Sequence, residues 1–545
     1  MASYGGRSSA VERLVVVQDV AGSNPVDRPT FPLSLRPFPC RYNLQYLRMF
    51  EILTAAEMKK ADLAAIAAGT PAHQLISSAA AALASIIEKN VAPCRVLFLC
   101  GAGNNGADGF VAAQMLSQRP GWSVRTACLV KKSALKGDAA EAAAVWEGAV
   151  ENLNSNLPVH QTDLVVDCVF GTGFHGALPP EVVILFDKIR AKNLPVIAAD
   201  IPSGIDATTG AIAEGTLKAA ITVVFCRKKI AHVLAATHEY IGRLHLASLP
   251  IDDALIAAMG TAAFENHPAL WLPDFPFPAI DAHKYTRGHV TVYGGSQRTG
   301  AACLAAHAAQ VSGTGVVSIA CRADARAIYS QFRASIMVDT WDSAEDFKTL
   351  LRDERANVVL IGPGGGHTGD DGVRLRGATL DALSMAGKTA VLDGDVFSVF
   401  KNDADTLFKH LAPRHILTPH EGEFARLFGD IQGSKLARAR AAAKRANAIV
   451  ILKGFDTVIA APDGTAAINT NGTPILATAG AGDVLAGLVA GFAAQGMKPF
   501  MAALCGVWLQ ADAARLHGPG LTAEDIIIHL NQSLKNLFAT TQQNS

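Results

Sequence analysis

The sequence predicts an α/β protein made of two doubly wound domains, and three observations carry that reading. Short β-branched runs alternate with alanine-rich helical stretches from about residue 90, and the alternation resumes after a proline-rich interruption near residue 270. Such a βαβ rhythm packs helices on both faces of a parallel sheet. Two glycine-rich loops lie far apart in the chain. Gly101-Ala102-Gly103-Asn104-Asn105-Gly106-Ala107-Asp108-Gly109 follows the apolar run Val96-Leu97-Phe98-Leu99-Cys100, and Ala479-Gly480-Ala481-Gly482-Asp483 precedes Val484-Leu485-Ala486-Gly487-Leu488. Glycines there turn the chain and free backbone N–H groups to face an anion at a helix N-terminus. Finally, 545 residues exceed what one core organises. Each loop closes on an acid, so two active sites for phosphorylated ligands are expected.

Residues 1–48 stand apart. Gly5-Gly6-Arg7-Ser8-Ser9 and Ala21-Gly22-Ser23-Asn24-Pro25 break any periodicity, and Pro29, Pro32, Pro37 and Pro39 follow closely. A signal peptide would need an apolar core and a cleavage site that this stretch lacks. Either 1–48 is a disordered tail or Met49 is the true start. The second reading is preferred because a helix pattern begins at once, with Thr54 and Glu57 at capping-box spacing.

The first domain, 49–265, is expected to carry strands at 96–100, 124–130, 164–167 and 196–200, with helices near 109–116 and 138–146. Its loops, including Gly171-Thr172-Gly173 and Ile201-Pro202-Ser203-Gly204, leave the carboxyl ends of strands, where such sheets bind ligands. Pro268, Pro273, Pro276 and Pro278 mark a linker at 266–280. The second domain, 281–540, opens with Gly288-His289-Val290-Thr291-Val292-Tyr293-Gly294-Gly295-Ser296, and later strands are expected at 358–361, 390–392, 414–417 and 448–452. Their loops read Gly362-Pro363-Gly364-Gly365-Gly366, Asp393-Gly394-Asp395, Thr418-Pro419-His420-Glu421-Gly422-Glu423 and Lys453-Gly454-Phe455-Asp456-Thr457.

Composition narrows the function classes. Lys+Arg and Asp+Glu balance at 48 each, so no global field draws the protein to nucleic acid or an acidic membrane. The charges interleaved in the alanine-rich stretch 437–448 read as a solvated helix face. The nine cysteines are scattered without a Cys-x-x-Cys pair, which suits reduced core residues of a cytoplasmic protein rather than a metal or disulfide set. No run of about 18 apolar residues suggests a membrane span.

From Met49 to about residue 540 the chain resembles the bifunctional NAD(P)H-hydrate repair enzymes. In the first domain the likeness rests on Asn104-Asn105-Gly106-Ala107-Asp108-Gly109, on Val166-Asp167 before Gly171-Thr172-Gly173, and on Asp200-Ile201-Pro202-Ser203-Gly204. In the second it rests on Gly294-Gly295-Ser296 with Gly300-Ala301, Gly362-Pro363-Gly364, Thr418-Pro419-His420 with Gly422-Glu423, Lys453-Gly454 with Thr457, and Ala479-Gly480-Ala481-Gly482-Asp483. The resemblance implies a Rossmann-like epimerase domain joined to a ribokinase-like dehydratase domain driven by ADP or ATP; the fused arrangement is similar to bacterial members, which favours ADP.

Carried onto this sequence, the resemblance makes Asn104, Asn105, Gly106, Ala107, Asp108, Gly171, Thr172, Gly173, Phe174, His175, Gly176 and Ala177 contacts to hydrated NADH or NADPH. Asn105, Asp167 and Ser203 match potassium ligands, all oxygen donors, although Asp167 could equally serve backbone amides. Asp200 matches a substrate-contacting acid and is the candidate general acid–base, moving a proton as the C6 hydroxyl leaves and returns; the alternative is an Asp capping the Pro202 turn. The family pattern has a second glycine where this chain has Ala107, a departure touching how closely backbone approaches ligand.

In the second domain, phosphorylating the hydrate's hydroxyl would make a good leaving group. Gly480, Ala481 and Gly482 can aim N–H groups at the transferring phosphate, and Asp483 stands where a base would deprotonate the acceptor. Lys453, Gly454, Phe455, Asp456, Thr457 and Gly482 match nucleotide contacts. Ala301, Gly364, Gly366, His420 and Asp483 match hydrate contacts, His420 being alternatively a loop-packing residue. Magnesium is expected for the phosphoryl charge, with Glu423 and Asp393 as candidate ligands. The remaining histidines, His232 among them, read as satisfied core or surface groups. A small-molecule kinase fused to a ligand-binding domain is the competing reading, a non-catalytic first domain a third; self-association is open.

Overall fold

The computed structural model describes residues 50–543, so the expectations for 1–48 lie outside the described residues. Chain order opens as the Thr54 pattern predicts. Thr54 accepts the Glu57 N–H, and the Glu57 carboxylate takes the Thr54 N–H at 2.7 Å, starting the helix Ala55–Ala67.

Seven strands, all paired in parallel, form the first sheet. Across it lie Val150–Asn152, Ser123–Cys128, Arg95–Cys100, Leu164–Cys168, Val196–Ala199, Ile221–Phe225 and Arg243–Ala247. The chain starts at Arg95–Cys100, runs out to one edge, and then returns to build the other half. That reversal opens a crevice between Arg95–Cys100 and Leu164–Cys168, where doubly wound sheets bind ligands. The first glycine loop and Asp167 both emerge there. The following helix begins earlier than the sequence suggested, spanning Asn104–Ser117 with Gly103 as N-cap. Its Asn-Asn-Gly opening has poor helix propensity, yet packing buries Gly106, Ala107 and Asp108 in the first turn.

Ten strands make the second sheet, in the order Ala263–Glu265, Ala466–Ile468, Val458–Ala460, Ile449–Leu452, Ile416–Leu417, Thr389–Leu392, Val358–Ile361, His289–Gly294, Val316–Cys321, Met337–Thr340. Val458–Ala460 pairs antiparallel with both neighbours; the other pairings are parallel. The same reversal recurs between His289–Gly294 and Val358–Ile361. Helix Ala481–Ala494 is held by close backbone approach to Thr299–Val311: a Cβ on Gly487 would sit 2.1 Å from the Ala305 carbonyl, and one on Gly491 2.1 Å from Ser312 Oγ.

The border between the domains departs from the expected one. Ala263–Glu265, assigned to the first domain, pairs with Ala466–Ile468 in the second sheet. The expected linker contains the helix Pro268–Trp271, whose Trp271 is fully buried beside Trp508 and Phe275. Pro268 starts this helix at N1, a position that needs no N–H donor, so the proline read as a breaker is an initiator. Glu51 bridges to Phe264 of the second sheet, and Ile52–Leu53 pairs with Lys228–Lys229, just past the last residue of Ile221–Phe225, in a separate two-stranded sheet. Cys40 lies outside the described residues, and the eight described cysteines are free. Among the described residues no helix is long and apolar enough to cross a membrane.

Candidate active sites

In the first crevice two glycines make tight approaches: a Cβ on Gly101 would lie 1.9 Å from the Val169 carbonyl, and one on Gly106 2.0 Å from the Gly101 carbonyl. Ala107 instead points into the core and is fully buried, so its departure from the family pattern falls on the core side. Asn105 packs on Gly171, where an added Cβ would stand 3.2 Å from its Cγ, and its buried Nδ2 has no hydrogen-bond partner. Asp167 is fully buried and accepts the Ser203 hydroxyl at 2.6 Å, the Ser203 N–H at 2.8 Å and the Val169 N–H at 3.2 Å. Burial outweighs these donors and raises its pKa. Ser203 Oγ in turn accepts the Phe170 N–H at 2.8 Å. Asn105, Asp167, Phe170 and Ser203 thus gather a buried, oxygen-rich nest.

Asp200 holds a left-handed backbone, φ +60°, at the end of Val196–Ala199. Such a conformation is strained for a non-glycine residue. Its carboxylate does not cap the Pro202 turn; Asp167 takes the Ser203 N–H there. Asp200 instead pairs with Lys229 at 2.5 Å, and the Lys229 ammonium, 1% exposed, also reaches the Phe225 carbonyl at 2.9 Å. His232 fixes the same turn from behind. Its Nδ1 accepts the Lys229 N–H at 2.8 Å and its Nε2 donates to the Asp200 carbonyl at 2.8 Å, a pairing only the neutral ring can make. Burial, with the Lys229 charge, pushes His232 down to about 4. Burial, then the charges of Asp200 and Asp62, hold the Asp108 carboxyl well above the ordinary range, and burial raises Asp62 to about 6.

Lys229 and Asp62 escaped the sequence reading; the signal for Lys229 was its place just beyond the strand Ile221–Phe225. In the loop after Asp167, Phe174 is the buried anchor, tilted against Phe170, while His175 is exposed and bonds Asp206 at 2.6 Å through its side chain. Thr172, Gly173, Gly176 and Ala177 complete that rim, with Gly176 at φ +85°.

In the second crevice, Gly480, φ +86°, is the N-cap of Ala481–Ala494. The helical ladder begins at the Val484 N–H to Gly480 carbonyl bond, which leaves the earlier N–H groups of Gly482 and Asp483 outside it. Lys453 lies below. A Cβ on Gly482 would stand 3.3 Å from its ammonium, which reaches Asp393 at 2.9 Å and Glu423 at 3.6 Å. Burial opposes the charge on Lys453, but Asp393 and Glu423 prevail and raise its pKa. Burial first, then Asp393, Glu423 and Asp395 against Lys453, carry Asp483 up to about 7.

A cleft of about 760 Å³ opens onto Asp483, Ala301, Gly364 and Glu423, together with Arg298, Lys401 and Arg426 at its mouth. Ala301 and Gly364 touch, since a Cβ on Gly364 would meet Ala301 Cβ at 3.1 Å. Gly366 donates to Asp395 at 2.9 Å, and His367 meets the same carboxylate at 2.7 Å. His420 caps the helix Glu421–Phe428 through Nδ1, the loop-packing alternative, with its Nε2 3.5 Å from Glu423.

Two expected nucleotide contacts have their side chains engaged elsewhere. Phe455 makes a T-shaped contact with His238, and Asp456 binds Lys435 at 2.6 Å and the Ala235 N–H at 3.0 Å. Thr457 Oγ closes the loop on Gly454. Asp393 and Glu423, the magnesium candidates, both face Lys453. Among the described residues no three His, Cys, Asp or Glu side chains are arranged to hold a metal ion.

Two parallel-sheet crevices, each with a helix N-terminus beside a perturbed carboxyl, define a two-site α/β enzyme. Residues 72–231 match the family described as YjeF-related protein N-terminus, and residues 290–531 that described as NAD(P)H-hydrate dehydratase. The bifunctional NAD(P)H-hydrate repair enzyme of Moorella thermoacetica is 34% identical, covering 89% of this chain and 97% of that protein. Its namesake from Mycobacterium leprae is 32% identical, covering 87% and 97%. An ADP/ATP-dependent NAD(P)H-hydrate dehydratase from Bacillus subtilis, co-crystallised with ATP and Mg2+, is 27% identical and covers 48% of this chain and 94% of its own, with a TM-score of 0.41. The chain belongs to the bifunctional NAD(P)H-hydrate repair enzyme family.

Proposed function

We infer that this chain repairs hydrated NADH and NADPH, its first domain interconverting the R and S hydrates and its second dehydrating the S form at the expense of ADP or ATP. The observation that carries the reading is Asp483, with a pKa of about 7, in the first turn after Gly480 and on the wall of the large cleft. Hydroxide leaves a hydrated ring poorly. Asp483 takes the hydroxyl proton as the phosphoryl group arrives, while Gly480, Ala481 and Gly482 offer N–H groups and the helix dipole to the developing charge. Lys453 adds a fixed positive charge. The new ester then loses phosphate by C–O cleavage, a ring proton departs, and the double bond of NAD(P)H returns. Arg298, Lys401 and Arg426, which among the described residues form no ion pair, suit the dinucleotide's phosphates.

In the first domain Asp200, oriented by Lys229, exchanges a proton as the C6 hydroxyl leaves and returns. Potassium would sit among Asn105, Asp167 and Ser203. Their side-chain oxygens fit a hard monovalent cation, which would supply a fixed charge for ligand oxygens, while the partnerless Asn105 Nδ2 is a donor left for a ligand oxygen. Magnesium does not fit as a protein-held ion, because Lys453 already bridges Asp393 and Glu423; it would arrive on the nucleotide's phosphates. ADP is the proposed donor. The free cysteines support a cytoplasmic setting, and exposed Val373 and Ile528 support self-association.

The test follows the reduced-nicotinamide absorbance of mixed R and S hydrates with the protein, magnesium, potassium and either ADP or ATP. Full recovery, faster than unaided interconversion, is expected. Recovery of the S form alone removes the epimerase; no recovery, with a stable phosphate ester formed instead on a small alcohol, replaces the reading with a kinase.

A further inference from the structure

The two sites are joined by one short stretch of backbone. Residues 229–238 begin at the first site, where Lys229 pairs with Asp200 and His232 holds the Asp200 carbonyl. Within nine residues the stretch is committed to the second domain. Ile230, Val233 and Leu234 are buried in the same apolar cluster as Leu452, Val458 and Ile468. Ala235 then donates its N–H to Asp456 at 3.0 Å, and the His238 and Phe455 rings make a T-shaped contact, 5.2 Å between centroids. Both partners belong to the turn 453–457 that begins with Lys453.

Asp456 is built for the join. It is 8% exposed, its other oxygen takes Lys435 at 2.6 Å, and the Lys435 side chain is 12% exposed. Lys435 lies against the turn itself: a Cβ on Gly454 would fall 2.3 Å from its ammonium. One carboxylate therefore satisfies a cation of its own domain and a backbone N–H of the other. A buried carboxylate with two such partners resists displacement, because loss of either leaves an uncompensated group.

We propose that Asp456 is a positioning residue that sets the nucleotide turn 453–457 against the backbone carrying Lys229, so that the geometry of each reaction site depends on the other. The proposal rests on the two activities inferred above.

The test uses the full chain with Asp456→Ala and Asp456→Asn. Epimerisation is followed without nucleotide, by chromatographic separation of the two hydrates; dehydration is followed by absorbance over a range of ADP. Asp456→Ala is expected to raise the KM for ADP at least tenfold with kcat within threefold. It should also slow epimerisation at least threefold, although no residue of that site has changed. Asp456→Asn keeps an acceptor for the Ala235 N–H and loses only the ion pair with Lys435. It should raise the KM for ADP while epimerising within twofold of the wild type. Unchanged epimerisation in Asp456→Ala overturns the proposal, as does equal loss in both variants. Should Asp456→Ala fail to fold, the Asp456→Asn split between KM and epimerisation decides alone. A wild type lacking either activity refutes the functional reading instead, a result distinct from these.

Discussion

Burial and three neighbouring carboxylates hold the Asp483 carboxyl near neutrality, at about 7 against an ordinary 3.8. Its base form is the reactive one, so dehydration should climb with pH to a plateau above 7, and a kcat/KM profile checks this. Asp483→Asn should cost about 10²–10⁴ in rate. The same shift has a stability sign. A carboxyl with a raised folded pKa favours the folded state in its protonated form; that contribution is complete below pH 4 and is lost as pH rises through 7. Asp483→Asn should therefore flatten the loss of stability between pH 4 and 7, as read by urea unfolding at several pH values. Lys229 makes the opposite case, a charge that must stay paired. Lys229→Met leaves Asp200 buried alone, and should destabilise by about 3–5 kcal/mol while abolishing epimerisation. Asp200 was legible in the sequence, standing at a strand end before a Pro-Ser-Gly turn. Its partner was not. In Arg227-Lys228-Lys229, Arg227 pairs with Glu51 and Asp253 and Lys228 with Glu265, and only the folded register singles out Lys229 as the inward cation.

Among the elements, the helices Asn104–Ser117 and Ala481–Ala494 were readable in existence, though not in their first residues, from glycines that answer a steric demand. Gly106 sits against the Gly101 carbonyl, and Gly487 against that of Ala305. Gly487→Ala forces Ala481–Ala494 away from Thr299–Val311, and should lower stability by about 1–3 kcal/mol, with a measurable fall in Tm and a rise in the KM for ADP as the N-terminus shifts. The capping box at Thr54 was equally plain, since its spacing is local. Helix starts that depend on packing were not. Asn104-Asn105-Gly106 reads as a loop by propensity, and only burial of Ala107 against the sheet makes it the first turn of a helix.

On the scale of the whole molecule, the alternating pattern foretold two doubly wound sheets, and the order of strands places a reversal in each. It could not foretell that a strand would cross the expected border. Three residues, Ala263–Glu265, carry too little periodicity to declare which sheet they join. Their pairing with Ala466–Ile468 covers the edge of the second sheet, so a fragment starting at residue 281 should expose that edge. Such a fragment should form larger particles than the full chain at equal concentration, as light scattering would register.

That crossing strand also sets a timetable for synthesis. Ala263–Glu265 leaves the ribosome roughly two hundred residues ahead of its partner, an interval of roughly 10–40 s at ordinary elongation rates. During that interval the newly made first lobe carries a strand held by the Glu51 bridge but lacking its ladder partner, beside the surface of residues 230–234 that the second lobe will later cover. The newborn chain is most open to wrong pairing in this window, and slowing translation across 270–460 would lengthen it.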